Sequence, residues 1–541
     1  MATTIPPFAP KQNPSPSDAV QVAVEVRAMP LVDSPPCVDA FIAHELPHLT
    51  SAGADVPRLF DSNGSGLALN DLNGDGRIDI VLGDLSGPPA ILWNQGHLQF
   101  RRSELPMVGR ARSVGIVDVD GDALPDIVIA NGIAAPAFFR NEGHARFRFT
   151  SLPGVDRPTY AMAWGDLDGD GDLDLVTGSY DAGRQVESGP NYLFNASGGV
   201  QVYLQENGEW RRRPLAESAH ALAISLWDLN GDHRADIWVG NDFAEMDRVW
   251  LQNEQGTWIE TAIFAQTTHN TMGIDRGDID GDGIPEYFAT DMKPYSNAVQ
   301  TLAAWLPLMD KAAQRRRRGD PQISENTLQI WREGRYVNEA YERKVDATGW
   351  SWSGKMGDLD HDGDLDLYVV NGMIAGDLFP YLPNGELIEE NQALVNTGNG
   401  WFAPAAHWQL GSLRSGRSMS MADMDNDGDL DIVVNNLNSP AQLFENRLCV
   451  RGGVLTVELR WPAAKNHYAI GAVATLYTRQ GLLVRDVRAI GGYLSGDPVR
   501  LHFGVPSGAT PGDLRIRWPD GAVSSIKEPP LNHLLIANRL D

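Results

Sequence analysis

The chain has 541 residues, 42% of them apolar, enough to bury several domain cores or one large repeat array with a satellite. Its 71 Asp and Glu against 44 Lys and Arg leave a formal charge of −27, which opposes a phosphate backbone and argues against a nucleic-acid partner. The two cysteines, Cys37 and Cys449, exclude a disulfide-dense mini-protein or a Cys-rich zinc cluster, and no apolar run approaches the roughly 20 residues of a membrane span.

Residues 1–34 begin Pro-rich and polar and are expected to be disordered, apart from a possible strand over 20–26. The first 30 residues hold no apolar stretch of the signal-peptide kind, so any export signal is expected to be absent or already removed. From Phe41 the run FIAHELP reads as a strand. Within it His44, Glu45 and His48 match the zinc-protease pattern H-E-x-x-H. That chemistry needs both histidines on one helical face, and Pro47 opposes the helix, so the match is set aside.

From Asp71 onward the acidity is concentrated in a nine-residue pattern, D-x-[DN]-x-D-x-x-x-[DE], that occurs seven times at spacings of 47, 48, 62, 50, 80 and 65 residues. Positions 1, 3, 5, 7 and 9 are the candidate metal ligands. In the first copy they are Asp71, Asn73, Asp75, Arg77 and Asp79, and in the second Asp118, Asp120, Asp122, Leu124 and Asp126. The third offers Asp166, Asp168, Asp170, Asp172 and Asp174, and the fourth Asp228, Asn230, Asp232, Arg234 and Asp236. The fifth offers Asp278, Asp280, Asp282, Ile284 and Glu286. The sixth has Asp358, Asp360, Asp362, Asp364 and Asp366, and the seventh Asp423, Asp425, Asp427, Asp429 and Asp431.

Carboxylates at positions 1, 3 and 5 of a tight loop converge on one hard cation; position 7 adds a backbone carbonyl and position 9 a further carboxylate. Oxygen-only ligands at this density suit calcium, up to seven ions in all. Seven ions would bring the net charge from −27 to −13. Position 6 is Gly in five copies; Ala123 and His233 replace it in the second and fourth, which are therefore expected to be the weak sites. A single copy reads equally well as an Asx-rich turn without metal, but seven in register oppose that reading. The pattern is not an EF-hand, since a β-like run rather than a helix follows each loop, as in IDIVLG and LDLYVV.

A second signature follows each loop: an apolar run, an Asn-Gly turn and an aromatic residue, clearest in NQGHLQF (94–100) and NEGHARF (141–147). Each repeat thus reads as strand, loop, strand, connection, strand, hairpin, strand. Four antiparallel strands on a period near 48 match a propeller blade, and counting gives seven. From loop start to hairpin aromatic, three repeats take 29 or 30 residues, while the third, fifth and sixth take 44, 58 and 44. The extra length falls at 180–199, 293–325 and 373–392, on the face opposite the loops, where a protein or glycan partner is expected to bind. The fifth insertion contains a helix-like stretch, 299–313, running to Arg315, Arg316, Arg317 and Arg318. That cluster is either a solvated helix end or a contact for an acidic partner.

The seventh repeat lacks its last strand, because AQLFEN runs straight into Arg447, Leu448 and Cys449. The strand from Phe41 shares the frame of those from Phe100 and Phe147 and is expected to supply it, closing the ring. Cys37 would then lie beside Cys449. A disulfide there is worth up to about 5 kcal/mol by chain entropy and implies an oxidising compartment. The plainer alternative is two unrelated thiols. Residues 450–541 alternate as β-strands separated by Gly, Pro and Asp-Gly turns, as in a small sandwich. The fold expected is all-β: a seven-bladed β-propeller with calcium loops over 35–449, followed by a small β-sandwich-like domain over 450–541.

The loops and their blade grammar resemble FG-GAP/VCBS repeats, the calcium blades also found in integrin α-subunit propellers. In the tail, AIGAVATLY from Ala469, GGYLSGD from Gly491, LHFG from Leu501 and RWPDG from Arg517 resemble the ASPIC/UnbV domain, which follows such propellers in bacterial exported proteins and in cartilage acidic protein. The resemblance implies a secreted or surface-exposed calcium protein and carries no settled activity. No nucleophile elbow, Walker A loop or C-x-x-C is present, so no catalytic residue is assigned. Two sequons, at Asn63 and Asn195, are short enough to arise by chance. The leading reading is a binding or scaffolding module. The other is a carbohydrate-active propeller, a lectin or polysaccharide lyase, using some of the 15 Trp as stacking platforms, against which stands their use in blade packing.

Overall fold

The computed structural model describes residues 19–107, 109–183, 197–206, 208–243, 245–313, 320–449 and 452–541. Arg315–Arg318, Asn195 and most of the insertion 180–199 lie outside them. The chain is nearly all β. Each loop joins the first two strands of a four-stranded antiparallel unit. In the first unit these strands are Leu67–Asn70, Asp79–Leu82, Ala90–Asn94 and Phe100–Glu104. The first three are buried throughout, as strands covered on both faces must be, and the fourth (FRRSE) keeps its charged side chains at the rim. The order recurs from Val114, Ala161, Ala221, Ile274, Gly349 and Gly416. Leu67–Asn70 packs against both Val114–Val117 and Gly416–Ala422, so the last unit meets the first.

The outer strand of that last unit is Ala40–Leu49. Phe41 stands opposite Asn446, as Phe100 stands opposite Asn94 and Phe147 opposite Asn141. Cys37 and Cys449 are joined, their Cα atoms 5.1 Å apart. Within the strand His44 Nε2 lies 2.8 Å from Glu445 and His48 Nε2 lies 3.0 Å from the Gly83 carbonyl, an arrangement unlike a zinc site.

The C-terminal domain packs two four-stranded sheets over Leu455, Val457, Leu476, Phe503, Ile516 and Trp518. One of its strands corrects the sequence reading. The strand suspected over 20–26 lies at Val24–Pro30 instead, and it pairs along its whole length with His533–Arg539, from Val24↔Arg539 to Pro30↔His533. Its mixed composition (VEVRAMP) suits a sheet edge, where charged side chains stay in water. The N-terminal segment thus serves both parts of the molecule.

Another strand of this domain begins at Leu482. It ends at Asp486, and the chain then turns through 490–496 into the middle of the ring. Ser495 pairs in parallel with Leu67, and Tyr493 donates its hydroxyl to the Asn63 carbonyl (2.7 Å) beside the Tyr160 hydroxyl (3.2 Å). Only glycine fits at 491 and 492: a Cβ there would lie 2.5 Å from Asp497 Oδ2 and from Ser353 Oγ, respectively. The plug is neutralised locally. Lys355 pairs with Asp497, and Arg488 lies 3.0 Å from Asp275 and 3.3 Å from Asp497. Asn63 is buried beneath it, so its sequon is closed to glycosylation in the folded chain.

The insertions in the fifth and sixth units leave between second and third strands, at the end opposite the loops. The fifth forms helix α1 (Val299–Ala313). Trp305 on α1 is buried and donates to Glu389 (3.0 Å), while Tyr381 donates to the Ala304 carbonyl (3.0 Å), so the two insertions brace each other. Phe60 adds edge contacts to Tyr180 and Phe243, closing that end of the centre.

Candidate metal centres

The nine-residue spacing folds itself. The position 1 carboxylate accepts the backbone N–H of position 6 in every loop: Gly76 (2.8 Å), Ala123 (2.9 Å), Gly171 (3.1 Å), His233 (2.7 Å), Gly283 (3.0 Å), Gly363 (3.1 Å) and Gly428 (2.9 Å). Ala123 and His233 take the left-handed turn that glycine takes elsewhere, with φ of 67° and 68°, at roughly 1–2 kcal/mol each. The position 9 acid is a stitch. One oxygen accepts the position 2 N–H, as Asp366 does from Leu359 (2.9 Å), and in six loops the other accepts an N–H of the third strand, as Asp366 does from Asn396 (2.9 Å).

A further set of residues escaped the sequence reading. A residue at the end of the third strand, or one before it, reaches back to the position 2 carbonyl of the neighbouring loop. Asn94 donates to Met424 (2.7 Å), Asn141 to Leu72 (2.9 Å), Gln205 to Val119 (3.3 Å) and Gln252 to Leu167 (2.7 Å). Asn396 donates to Ile279 (2.9 Å) and Asn446 to Leu359 (2.8 Å). In the fifth unit the Tyr336 hydroxyl does this instead, donating to Leu229 (2.9 Å). The relay runs all the way round. Its signal was the Asn of the Asn-Gly turn, which also caps the hairpin through Gly96, Gly143 and Gly398.

In five loops three carboxylates each offer an oxygen, all within 4.8 Å of one another: Asp118/Asp120/Asp122, Asp166/Asp168/Asp174, Asp278/Asp280/Asp282, Asp358/Asp360/Asp366 and Asp423/Asp425/Asp427. Burial, reinforced by the neighbouring carboxylates, raises Asp166 and Asp423 to about 7 and Asp358 to about 8. Asp118 and Asp278 rise to about 6, His467 restraining the former and backbone N–H bonds the latter. Five of the oxygens, Oδ1 of Asp120, Asp280, Asp358, Asp360 and Asp423, are buried without a hydrogen-bond partner. Buried, mutually repelling, partnerless carboxylate oxygens fit a hard divalent cation, so these clusters could hold a metal ion.

The first and fourth loops differ. Both have Asn at position 3 and Arg at position 7, a combination absent from the other five. Arg77 pairs with Asp75 and donates to the Asn94 carbonyl (2.9 Å); Arg234 pairs with Asp232 and donates to that of Gln252 (3.0 Å). The loop 118–126 keeps its triplet despite Ala123, whereas 228–236 has none among the described residues. Asp228 is also the exception in charge: burial pushes it up, but the His233 ring and N–H more than offset that and hold it below the ordinary value.

The C-terminal domain roofs the loops. His467 Nδ1 lies 3.0 Å from Asp118, Lys465 Nζ lies 3.0 Å from Asp172, and Tyr468 donates to the Ala123 carbonyl (3.0 Å). Arg500 donates to the Gly76 carbonyl (3.0 Å), and His502 Nε2 lies 2.9 Å from that of Gly428.

Comparison with known proteins gives a family for both parts. The FG-GAP-like repeat matches residues 71–129, 118–177, 228–289 and 384–434, and the FG-GAP repeat matches 159–203. The ASPIC and UnbV family matches 462–539. No curated protein matches the chain. Among solved structures, BBS1N in complex with ARL6DN is 12% identical at a TM-score of 0.43, over 76% of this chain and 97% of that one. The BP39L lectin from Burkholderia pseudomallei is 12% identical at 0.42, over 69% and 93%.

Proposed function

The chain carries FG-GAP repeats and a C-terminal ASPIC and UnbV domain, and from that premise we propose that it is a calcium-binding interaction module that works outside the cytoplasm. Residues 35–449 are the metal-loop ring and 450–541 its accessory domain. The observation that carries this reading is the set of five carboxylate triplets, four of which include a buried oxygen without a partner. Calcium suits them better than magnesium, which demands tighter octahedral geometry and keeps its water. The Cys37–Cys449 bond fits an oxidising compartment. No helix among the described residues is long and apolar enough to cross a membrane.

The loop face is covered by the chain's own C-terminal domain, which leaves the opposite face, with α1 and the insertion 373–392, for a partner. Leu306 and Tyr381 are exposed there. Eleven of the 15 Trp are buried in packing, so they supply little stacking surface for a lectin or lyase. Thermal unfolding with chelator, then with added calcium or magnesium, tests the metal: calcium alone restores the melting temperature. A melting curve indifferent to chelator refutes it. Shortening 293–325 to a turn leaves that calcium response intact while weakening capture of a partner, and unchanged capture refutes the face assignment.

A further inference from the structure

A cavity of about 110 Å³ lies between the loops 166–174 and 228–236 and the C-terminal domain. Trp164, Leu226 and Trp227 line it from the ring, and Ile470, Val487 and Arg517 from the domain above. Three of the guanidiniums around it are committed. Arg234 pairs with Asp232; Arg276 pairs with Asp486 (2.6 Å) and lies over the Trp227 ring (4.5 Å); Arg488 lies 3.0 Å from Asp275 and 3.3 Å from Asp497. The two carboxylates at its edge are committed as well. Asp166 accepts the Gly169 and Gly171 N–H groups (2.8 and 3.1 Å), and Asp228 those of Asp232 and His233 (2.9 and 2.7 Å).

Arg517 stands apart. It is half-buried, and among the described residues its guanidinium makes no hydrogen bond and no ion pair. Burial pushes it below its ordinary value, and the charge of Asp228 offsets only part of that. A half-buried guanidinium without an ion pair keeps its donors free, and a planar, bidentate donor beside an apolar wall is complementary to one common group.

We propose that this cavity binds a short aliphatic carboxylate, its carboxylate on Arg517 and its stem against Ile470, Val487 and Leu226. The size sets the class. At about 30 Å³ per water the cavity holds roughly three or four water-sized groups, which matches an acid of about two to four carbons. A free phosphate would satisfy the charge but leave the apolar wall unused.

Calorimetric titration of the full chain in calcium buffer with propionate, and with uncharged propionamide as the isosteric control, tests the site. The expected result is saturable propionate binding in the roughly millimolar range and none for propionamide. Binding weakens at least tenfold in Arg517→Gln and less in Arg517→Lys, which keeps the charge. Ile470→Phe, which fills the cavity and leaves Arg517 in place, also abolishes binding, and an unaltered melting response to chelator shows that each variant is folded. Absence of saturable propionate binding overturns the proposal. So does equal binding of propionamide, wild-type affinity in Arg517→Gln, or tighter binding of inorganic phosphate than of propionate.

Discussion

The loops 358–366 and 71–79 share a motif and settle its charge in different ways. In the first, Asp358 and Asp360 lie beneath the C-terminal domain, each with a buried oxygen that finds no donor, and Asp358 is raised to about 8. In the second, Asn73 removes one carboxylate and the Arg77 guanidinium sits on Asp75. Yet the two backbones agree, down to the N–H of position 6 on the position 1 carboxylate. Positions 1, 6 and 9 therefore build the loop, and positions 3 and 7 decide how much positive charge it needs from outside. The fourth loop repeats the Asn-Arg solution with Arg234.

Chelation is the strongest way to expose that difference. With calcium at tenfold excess over its dissociation constant, each filled site contributes roughly 1–2 kcal/mol, so removal should lower stability by several such increments in calorimetry. A loss no larger than one site's share would erase the distinction between the loop classes. The pH response comes next. Burial raises all but one of the carboxyls at positions 1 and 9 in the folded chain, Asp278 to about 6, Asp126 to about 8 and Glu286 to about 9, from 3.8 or 4.5 unperturbed. The metal-free folded state therefore holds more protons than the unfolded chain between pH 4 and 8, and stability falls as pH rises through that window. Asp228 alone, held low by His233, works the other way. Calcium should abolish or reverse the fall; parallel melting profiles with and without EDTA would contradict the assignment.

Asp366→Asn leaves one amide of its stitch without an acceptor and should cost about 1–3 kcal/mol, in chelator as well as in calcium. A cost seen only in calcium would make position 9 purely a ligand. The smallest effect belongs to Arg77→Met. Its exposed ion pair contributes under about 1 kcal/mol, so the melting temperature should barely move, while the weaker class of sites in a calcium titration should tighten. Unchanged affinities would show that Arg77 does not set the charge of its loop.

The all-β class, the loops and the strand of Phe41 were legible because local rules decide them: acidic spacing, Asn-Gly turns and a repeated frame. What stayed hidden is non-local. Gly491 and Gly492 read as turn residues, and nothing nearby announces that Tyr493 ends against Asn63 in the ring centre. The possible strand over 20–26 gave no sign that its partner is His533–Arg539, at the far end of the chain. Asn94 looked like a turn residue alone, because its second bond goes to Met424, 330 positions away. The Arg77 and Arg234 pairings were readable in principle, since Asn at position 3 and Arg at position 7 occur together or not at all.

The pairing of Val24 with Arg539 has a mechanical consequence. The first and last strands run antiparallel with their free ends side by side, so tension applied through the two termini would peel them apart rung by rung, the weakest way to load a sheet. Extension would then stop at Cys37 and Cys449. The chain between them, across a separation of 412 positions, lies behind a covalent clasp, and force passes through the sulfurs rather than through the ring. Under traction the molecule should lengthen by its edge strand and accessory domain alone, while every acidic loop stays slack.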